Sequence, residues 1–109
     1  MTNAAVVVSF NRRELLRECL LSLTEQTRRL DEIIVVDNGS TDGAAEMVIS
    51  EFPQVTVYQS ERNLGGAGGF AWGVELAIQR GHSTAWLMDD DGNPEHDAFE
   101  KLTDAFEPV

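Results

Sequence analysis

Met88-Asp89-Asp90-Asp91-Gly92 sets three carboxylates side by side. Like charges this close repel. The run follows Thr84-Ala85-Trp86-Leu87-Met88, an apolar stretch that reads as a buried strand. Carboxylates ending such a strand need an offsetting charge or open solvent. A divalent cation is one answer, because hard oxygen ligands suit Mg²⁺ or Mn²⁺; a solvated acidic loop is the other. If strand geometry continues past Met88, side chains alternate, so Asp89 and Asp91 project to one side. Two carboxylates, two phosphate oxygens and water would complete a coordination shell. Asp90 then faces elsewhere, free to meet a sugar or ribose hydroxyl. A calcium loop of the EF-hand type also fits in part, with Asp89, Asp91, Asn93 and Glu100 at ligand positions. Pro94 stands where that loop requires glycine, however, and a strand precedes it where a helix should.

A second candidate is Asn63-Leu64-Gly65-Gly66-Ala67-Gly68-Gly69-Phe70. Gly66, Gly68 and Ala71 satisfy a G-x-G-x-x-A dinucleotide pattern, but after the third strand rather than the first, and with no suitable acidic ribose hook downstream. The better reading is a loop that lets backbone approach a bulky ligand and feeds amides toward phosphate. Asp37, followed by Asn38-Gly39-Ser40, can accept from a base N–H or a ribose hydroxyl, or form an Asx-turn that caps the next helix. Asp42 reads as a cap. Arg62 can reach a pyrophosphate or remain a surface arginine. His82 and His96 read as solvated, His96 lying near the triplet in the first turn of the last helix. Cys19, the only cysteine, falls at helical spacing with Leu15, Leu16, Leu20 and Leu23 and reads as core.

These residues need elements to hold them. Val6-Val7-Val8, Ile33 to Val36, Val55 to Tyr58 and Ala85 to Met88 read as strands one to four. Asn11 with Glu14 forms a capping-box pattern for the first helix. A second helix covers about Ala44 to Glu51 and stops at Pro53. The glycine-rich stretch opens a third helix through Phe70, Val74 and Ile78, ended by Gly81. Asn93 and Pro94 open a fourth, burying Ala98, Phe99, Leu102 and Phe106. Alternating strands and helices predict a doubly wound, mostly parallel α/β sheet, ordered 3-2-1-4, a Rossmann-like nucleotide-binding half. Ligands bind such sheets at the switch point beyond the carboxyl ends of the strands. The loops there are Ser9-Phe10-Asn11, Asp37-Asn38-Gly39 and Asp89-Asp90-Asp91.

With 109 residues and 42% hydrophobic content the chain is ordinary globular material, one domain or part of one. A formal net charge of −11 argues against nucleic acid as a partner, yet not against a phosphate-bearing small ligand brought in with a metal. The single cysteine fits a reducing compartment. The start lacks a basic region, and its apolar run is too short for a signal peptide or a transmembrane segment.

Four motifs together carry a resemblance: Val-Val-Val-Ser-Phe-Asn-Arg at 6–12, Ile-Ile-Val-Val-Asp-Asn-Gly-Ser-Thr-Asp at 33–42, Asn-Leu-Gly-Gly-Ala-Gly-Gly-Phe at 63–70 and Met-Asp-Asp-Asp at 88–91. In order and spacing the chain resembles a family 2 glycosyltransferase of the GT-A fold, most similar to the galactofuranosyl- and rhamnosyltransferase branch. The resemblance implies that Asp37 contacts the nucleotide base, with Phe10 and Asn11 lining the same pocket. It places Arg62, Asn63 and the following glycines, Gly66 among them, along ribose and diphosphate. Asp89 and Asp91 match the metal positions of a DXD motif, for Mn²⁺ or Mg²⁺, and Asp90 lies near the donor sugar. The implied reaction is inverting transfer from a UDP- or dTDP-linked sugar, such as galactofuranose or rhamnose, to a glycan or lipid-linked acceptor of the cell envelope. The metal would stabilise the leaving diphosphate, and a carboxylate base would deprotonate the acceptor.

In the family that base lies well downstream of the triple aspartate. The chain is therefore expected to be the donor-binding part of a GT-A domain over 1–109, inactive alone, with its base beyond Val109. Expected with this are a cytoplasmic location, at the inner face of the membrane in a full-length protein, and self-association through the face left open. Three other readings stand beside it. An NDP-sugar nucleotidyltransferase should carry glycine and basic residues directly after strand one, where this chain has Ser9-Phe10-Asn11-Arg12-Arg13. A non-catalytic interaction module would bind neither metal nor nucleotide. A dehydrogenase would bind NAD(P)H.

Overall fold

The strands form where β-branched and apolar residues run together, and polar turns separate them from the helices. Their order is β1 (Asn3–Ser9), α1 (Arg13–Thr24), β2 (Glu32–Asp37), α2 (Ala44–Glu51), β3 (Thr56–Gln59), α3 (Gly65–Gln79), β4 (Thr84–Asp89) and α4 (Ala98–Ala105). The computed structural model describes residues 2–105; Phe106, expected in the last helix, lies outside them. All four strands are parallel, in the order β3-β2-β1-β4. That is the sheet the strand–helix alternation predicts.

β1 is buried on both faces, as a central parallel strand should be. Ala5 and Val7 pack on one side with Leu16, Cys19, Leu20 and Leu23 of α1, Val48 of α2 and Phe99 of α4. Ala4, Val6 and Val8 pack on the other with Leu76 and Ala77 of α3. Cys19 is core, as its spacing predicts. Burial, then the charges of Asp90 and Asp91, push its thiol up to about 12, so it stays protonated and unreactive.

The structure corrects several local expectations. β4 is not a buried strand. It is the outer strand, paired on one side only to β1. Trp86 and Met88 pack against the α1 side, Trp86 stacked on Phe99 with ring centroids 5.5 Å apart, but Leu87 on the other face is 42% exposed. Leu15 is also exposed, just off the buried stripe of α1. Asn11 does not cap α1. It adopts φ 50° and turns its Oδ1 to accept from Thr41 N at 2.7 Å. Glu14 pairs with Arg17 instead of closing a capping box. The cap comes from a distant loop: Asp42 Oδ2 accepts from Arg13 N at 2.9 Å, and its Oδ1 from Ala44 N at 3.0 Å. One carboxylate thus serves the starts of α1 and α2.

Nor does Asn93-Pro94 open the last helix. α4 begins at Ala98; 93–95 are irregular and 96–97 form a turn, Ala98 N donating to Glu95 O at 3.0 Å. Gln26 fixes this segment, donating to Glu95 O at 2.7 Å and accepting from Phe99 N at 2.9 Å. The glycine-rich run is not a loop but the first turns of α3. Its buried stripe is Gly69, Gly73, Leu76 and Ala77, whereas Ile78 is exposed. A Cβ on Gly69 would meet Val8 Cγ1 at 2.7 Å, and one on Gly73 would collide with Val6 Cγ1. These two glycines let α3 lie directly on β1.

At the amino end of the sheet, Glu32 gathers a polar cluster. Arg80 Nε donates to both of its oxygens at 2.8 Å, His82 Nε2 lies 2.7 Å from Oε1, and Thr56 Oγ1 donates to Oε2 at 2.7 Å. His82 is therefore not solvated: its side chain is 7% exposed. Burial raises the Glu32 pKa, but the hydrogen bonds from Arg80, His82 and Thr56 outweigh it and hold the carboxyl at about 2.

Two predictions follow from this packing. Gly73→Ala should destabilise the chain by about 1–2 kcal/mol in chemical denaturation, overpacking exceeding the helix-propensity gain. Gly66→Ala, whose Cβ meets nothing within 4 Å, should stabilise it by roughly 0.5–1 kcal/mol. Equal effects of the two would contradict the close approach at Gly73. Because Glu32 has a lowered folded-state pKa, its contribution is fully present above its ordinary value of 4.5 and is lost as pH falls from there toward about 2. Unfolding midpoints measured across that interval should fall more steeply for the wild type than for Glu32→Gln.

Candidate functional site

The β1–β4 register pairs Val8 with Asp89, and the β1–β2 register pairs Ser9 with Asp37. Three strands therefore finish level, and their following loops meet. The β1 loop is tied to the β2 loop by Asn11 N donating to Ser40 Oγ at 2.9 Å, besides the Asn11–Thr41 bond. Asn38 N donates to Ser9 O at 2.8 Å. The Asn38 side chain is buried and spans the other gap: its Oδ1 accepts from Leu64 N at 2.8 Å and its Nδ2 donates to Gly65 O at 3.0 Å. Gly39, at φ 87°, lies so close to Arg62 that a Cβ would sit 3.1 Å from its carbonyl carbon. Asn63 Oδ1 accepts from Gly65 N at 2.7 Å. The loops after β1, β2 and β3 are thus joined at this end of the sheet.

The expected site residues divide by what they do in this frame. Phe10, Arg62, Asn63 and Gly66 are exposed at the carboxyl end of the sheet. Asn11 spends its side chain on Thr41. Asp37 is fully buried: Oδ1 accepts from Ser40 N at 3.1 Å, while Oδ2 has no partner among the described residues. The Asx-turn reading and the ligand reading are thus compatible, since one oxygen makes the turn and the other is unused.

Asp90 does not face outward. Its carboxylate turns under the β1 loop, where Oδ2 accepts from Ser9 Oγ at 3.0 Å and from Phe10 N at 3.3 Å. The reason is strand parity. Asp89 shares the α3 side with Val8, so Asp90 and Ser9 both turn toward α1. Burial raises the Asp90 pKa, against the bonds from Phe10 and Ser9 and the charge of Arg12. Asp89 and Asp91 are left exposed. Arg12 Nη1 lies 3.6 Å from Asp90 Oδ1 and 3.8 Å from Asp91 Oδ2.

For a hard divalent cation this donor set fits. Asp89 and Asp91 offer exposed carboxylate oxygen, and no side chain among the described residues hydrogen-bonds the Asp89 carboxylate. The described residues hold no group of three or more potential ligand side chains. A cation here would complete its shell from phosphate oxygens and water, as Mg²⁺ and Mn²⁺ do. α3 adds the amides of Gly66, Ala67 and Gly68, which no side chain among the described residues takes, whereas Asn38 and Asn63 cap Leu64 N and Gly65 N.

His96 is exposed and precedes α4; its backbone carbonyl accepts from Thr27 N. His82 lies at the opposite end of the sheet. Ser9, Arg12 and Asn38 belong to the site although their types alone did not mark them. The sequence placed Ser9 and Asn38 in loops at this end of the sheet, but their partners there needed the register of β1 against β2 and β4.

The chain matches the family model for glycosyl transferase family 2 over residues 4–108. It is 47% identical over 90 residues to the galactofuranosyltransferase GlfT1 of Mycolicibacterium smegmatis, covering 83% of this chain and 30% of that protein. It therefore spans about 30% of the length of the curated relatives it matches. In fold it is similar to Staphylococcus aureus TarS in complex with UDP, at a TM-score of 0.82 and 24% identity, covering 95% of this chain and 31% of that one. For TarS in complex with UDP-GlcNAc the values are 0.73 and 25%, covering 97% and 30%. The mannosyltransferase PcManGT from Pyrobaculum calidifontis, in complex with GDP-Man and Mn²⁺, gives 0.71 and 24%, covering 95% and 31%. These likenesses establish the GT-A arrangement of the sheet. Matched by the family model over nearly all of its length, with a galactofuranosyltransferase among its relatives, the chain belongs to glycosyl transferase family 2.

Proposed function

We propose that this chain holds the nucleotide-diphosphate sugar of an inverting, metal-assisted hexosyl transfer, and that a longer protein supplies acceptor binding and the base. The observation that carries the reading is the meeting of three features at one end of the sheet. These are the exposed Asp89 and Asp91, the unpartnered Asp37 Oδ2, and the α3 amides of Gly66 and Ala67, which no side chain takes among the described residues.

In this reading the unused Asp37 oxygen accepts from the base, and Phe10 covers the base or ribose. The α3 amides and Arg62 take the diphosphate. Asp89 and Asp91 hold Mn²⁺ or Mg²⁺, which when bound offsets charge on the departing diphosphate. The 47% identity to GlfT1 favours galactofuranose as the sugar and a cell-envelope glycan as the acceptor.

Calorimetric titration of UDP, with dTDP in parallel, tests this directly. UDP should bind the chain in Mn²⁺ roughly tenfold or more tightly than in EDTA, a coupling of ordinary size. Asp91→Ala should remove that difference, while Asp37→Asn should weaken binding in both conditions. A folded chain that binds UDP equally in Mn²⁺ and EDTA, or binds neither nucleotide, would overturn the proposal.

A further inference from the structure

Asp90 sits between the two carboxylates assigned to the metal, but its own side chain is committed elsewhere. It reaches beneath the loop that carries Phe10 and Asn11, accepting from Ser9 Oγ and Phe10 N, and it is 5% exposed. The conformation of the acidic turn and that of the β1 loop therefore depend on one buried carboxylate. Arg12, on the same loop, lies close to both Asp90 and Asp91. A cation arriving at Asp91 competes with Arg12 for that carboxylate.

We propose that Asp90 is the positioning residue through which metal binding and nucleotide binding strengthen one another. The inference rests on the donor-site reading above and assigns Asp90 no contact with metal or sugar. Physically, Asp90 is already bonded to the β1 loop, so a cation that favours this arrangement of the acidic turn also favours the loop arrangement bonded to it. Asp90 in turn fixes the Phe10 amide and, beyond it, Asn11 against Ser40 and Thr41. Ordering the loop around a nucleotide runs the same chain backward. Binding linkage makes the two effects equal.

A residue that merely holds the fold would alter stability, or both affinities alike, and leave the coupling untouched. The test is therefore the ratio of UDP dissociation constants in EDTA and in Mn²⁺. Its reciprocal is checked by electron paramagnetic resonance of free Mn²⁺ with and without UDP. Because the cation also meets the diphosphate directly, Asp90→Ala should lower the ratio severalfold from roughly tenfold or more without abolishing it. Asp90→Asn, which keeps an oxygen for Ser9 and Phe10, should restore most of it. Ser9→Ala removes one donor to Asp90 without touching the acidic turn and should lower the ratio partway. It decides the matter should Asp90→Ala fail to fold. An unchanged ratio in Ser9→Ala and in every folded Asp90 variant overturns the inference and leaves the donor site standing. Absence of metal-dependent UDP binding in the wild type overturns both.

Discussion

Parallel pairing of β1 to β2 on one side and β4 on the other governs everything at the functional end of this molecule. A parallel neighbour fixes register, and register fixes where each strand stops. Ser9 lies beside Asp37, and Val8 lies beside Asp89. A slip of one residue in β4 would turn Asp90 outward and bury the carboxylate before it. The packing of Trp86 and Met88 against the α1 side prevents that slip, because a shifted strand would present Leu87 and Asp89 to the core instead.

Most polar side chains around the site serve the chain's own backbone. Asp42 caps two helices, Asn38 holds the start of α3, Asn11 and Ser40 join the first two loops, and Gln26 fixes the approach to α4. Each satisfies amide or carbonyl groups that irregular backbone leaves open. What remains after these bonds are counted is informative. The side chains of Asp89 and Arg62 and one oxygen of Asp37 have no hydrogen-bond partner among the described residues, and the Asp91 carboxylate has only the distant Arg12. These unspent groups are the ones the proposed donor site would use.

The two ends of the sheet use charge in opposite ways. At the amino end Glu32 is surrounded by Arg80, His82 and Thr56, so its charge is consumed locally. At the carboxyl end Arg12 lies near Asp90 and Asp91 but no ion pair reaches Asp89 among the described residues, so negative charge is left over. In a chain with a net charge of −11, that local excess disfavours a free diphosphate unless a cation accompanies it.

The sequence by itself determined the element order, the parallel sheet and its strand order, and the convergence of three loops on one end. Periodicity and turn chemistry are local, and the crossover rules leave few topologies. It also located the α2 helix, the core role of Cys19 and the capping role of Asp42. What it did not contain was which partner each polar side chain would choose. Asn11 looked like a cap because its neighbours in sequence suited one, but Thr41, 30 residues away, was the nearer donor. Asp90 looked free because only its own strand was in view, and β1 proved to supply Ser9 and Phe10. His82 looked solvated until β2 brought Glu32 to it. β4 looked buried because its residues are apolar, whereas exposure depends on what lies alongside. Local pattern decides where a strand runs; only tertiary packing decides which of its side chains are already taken.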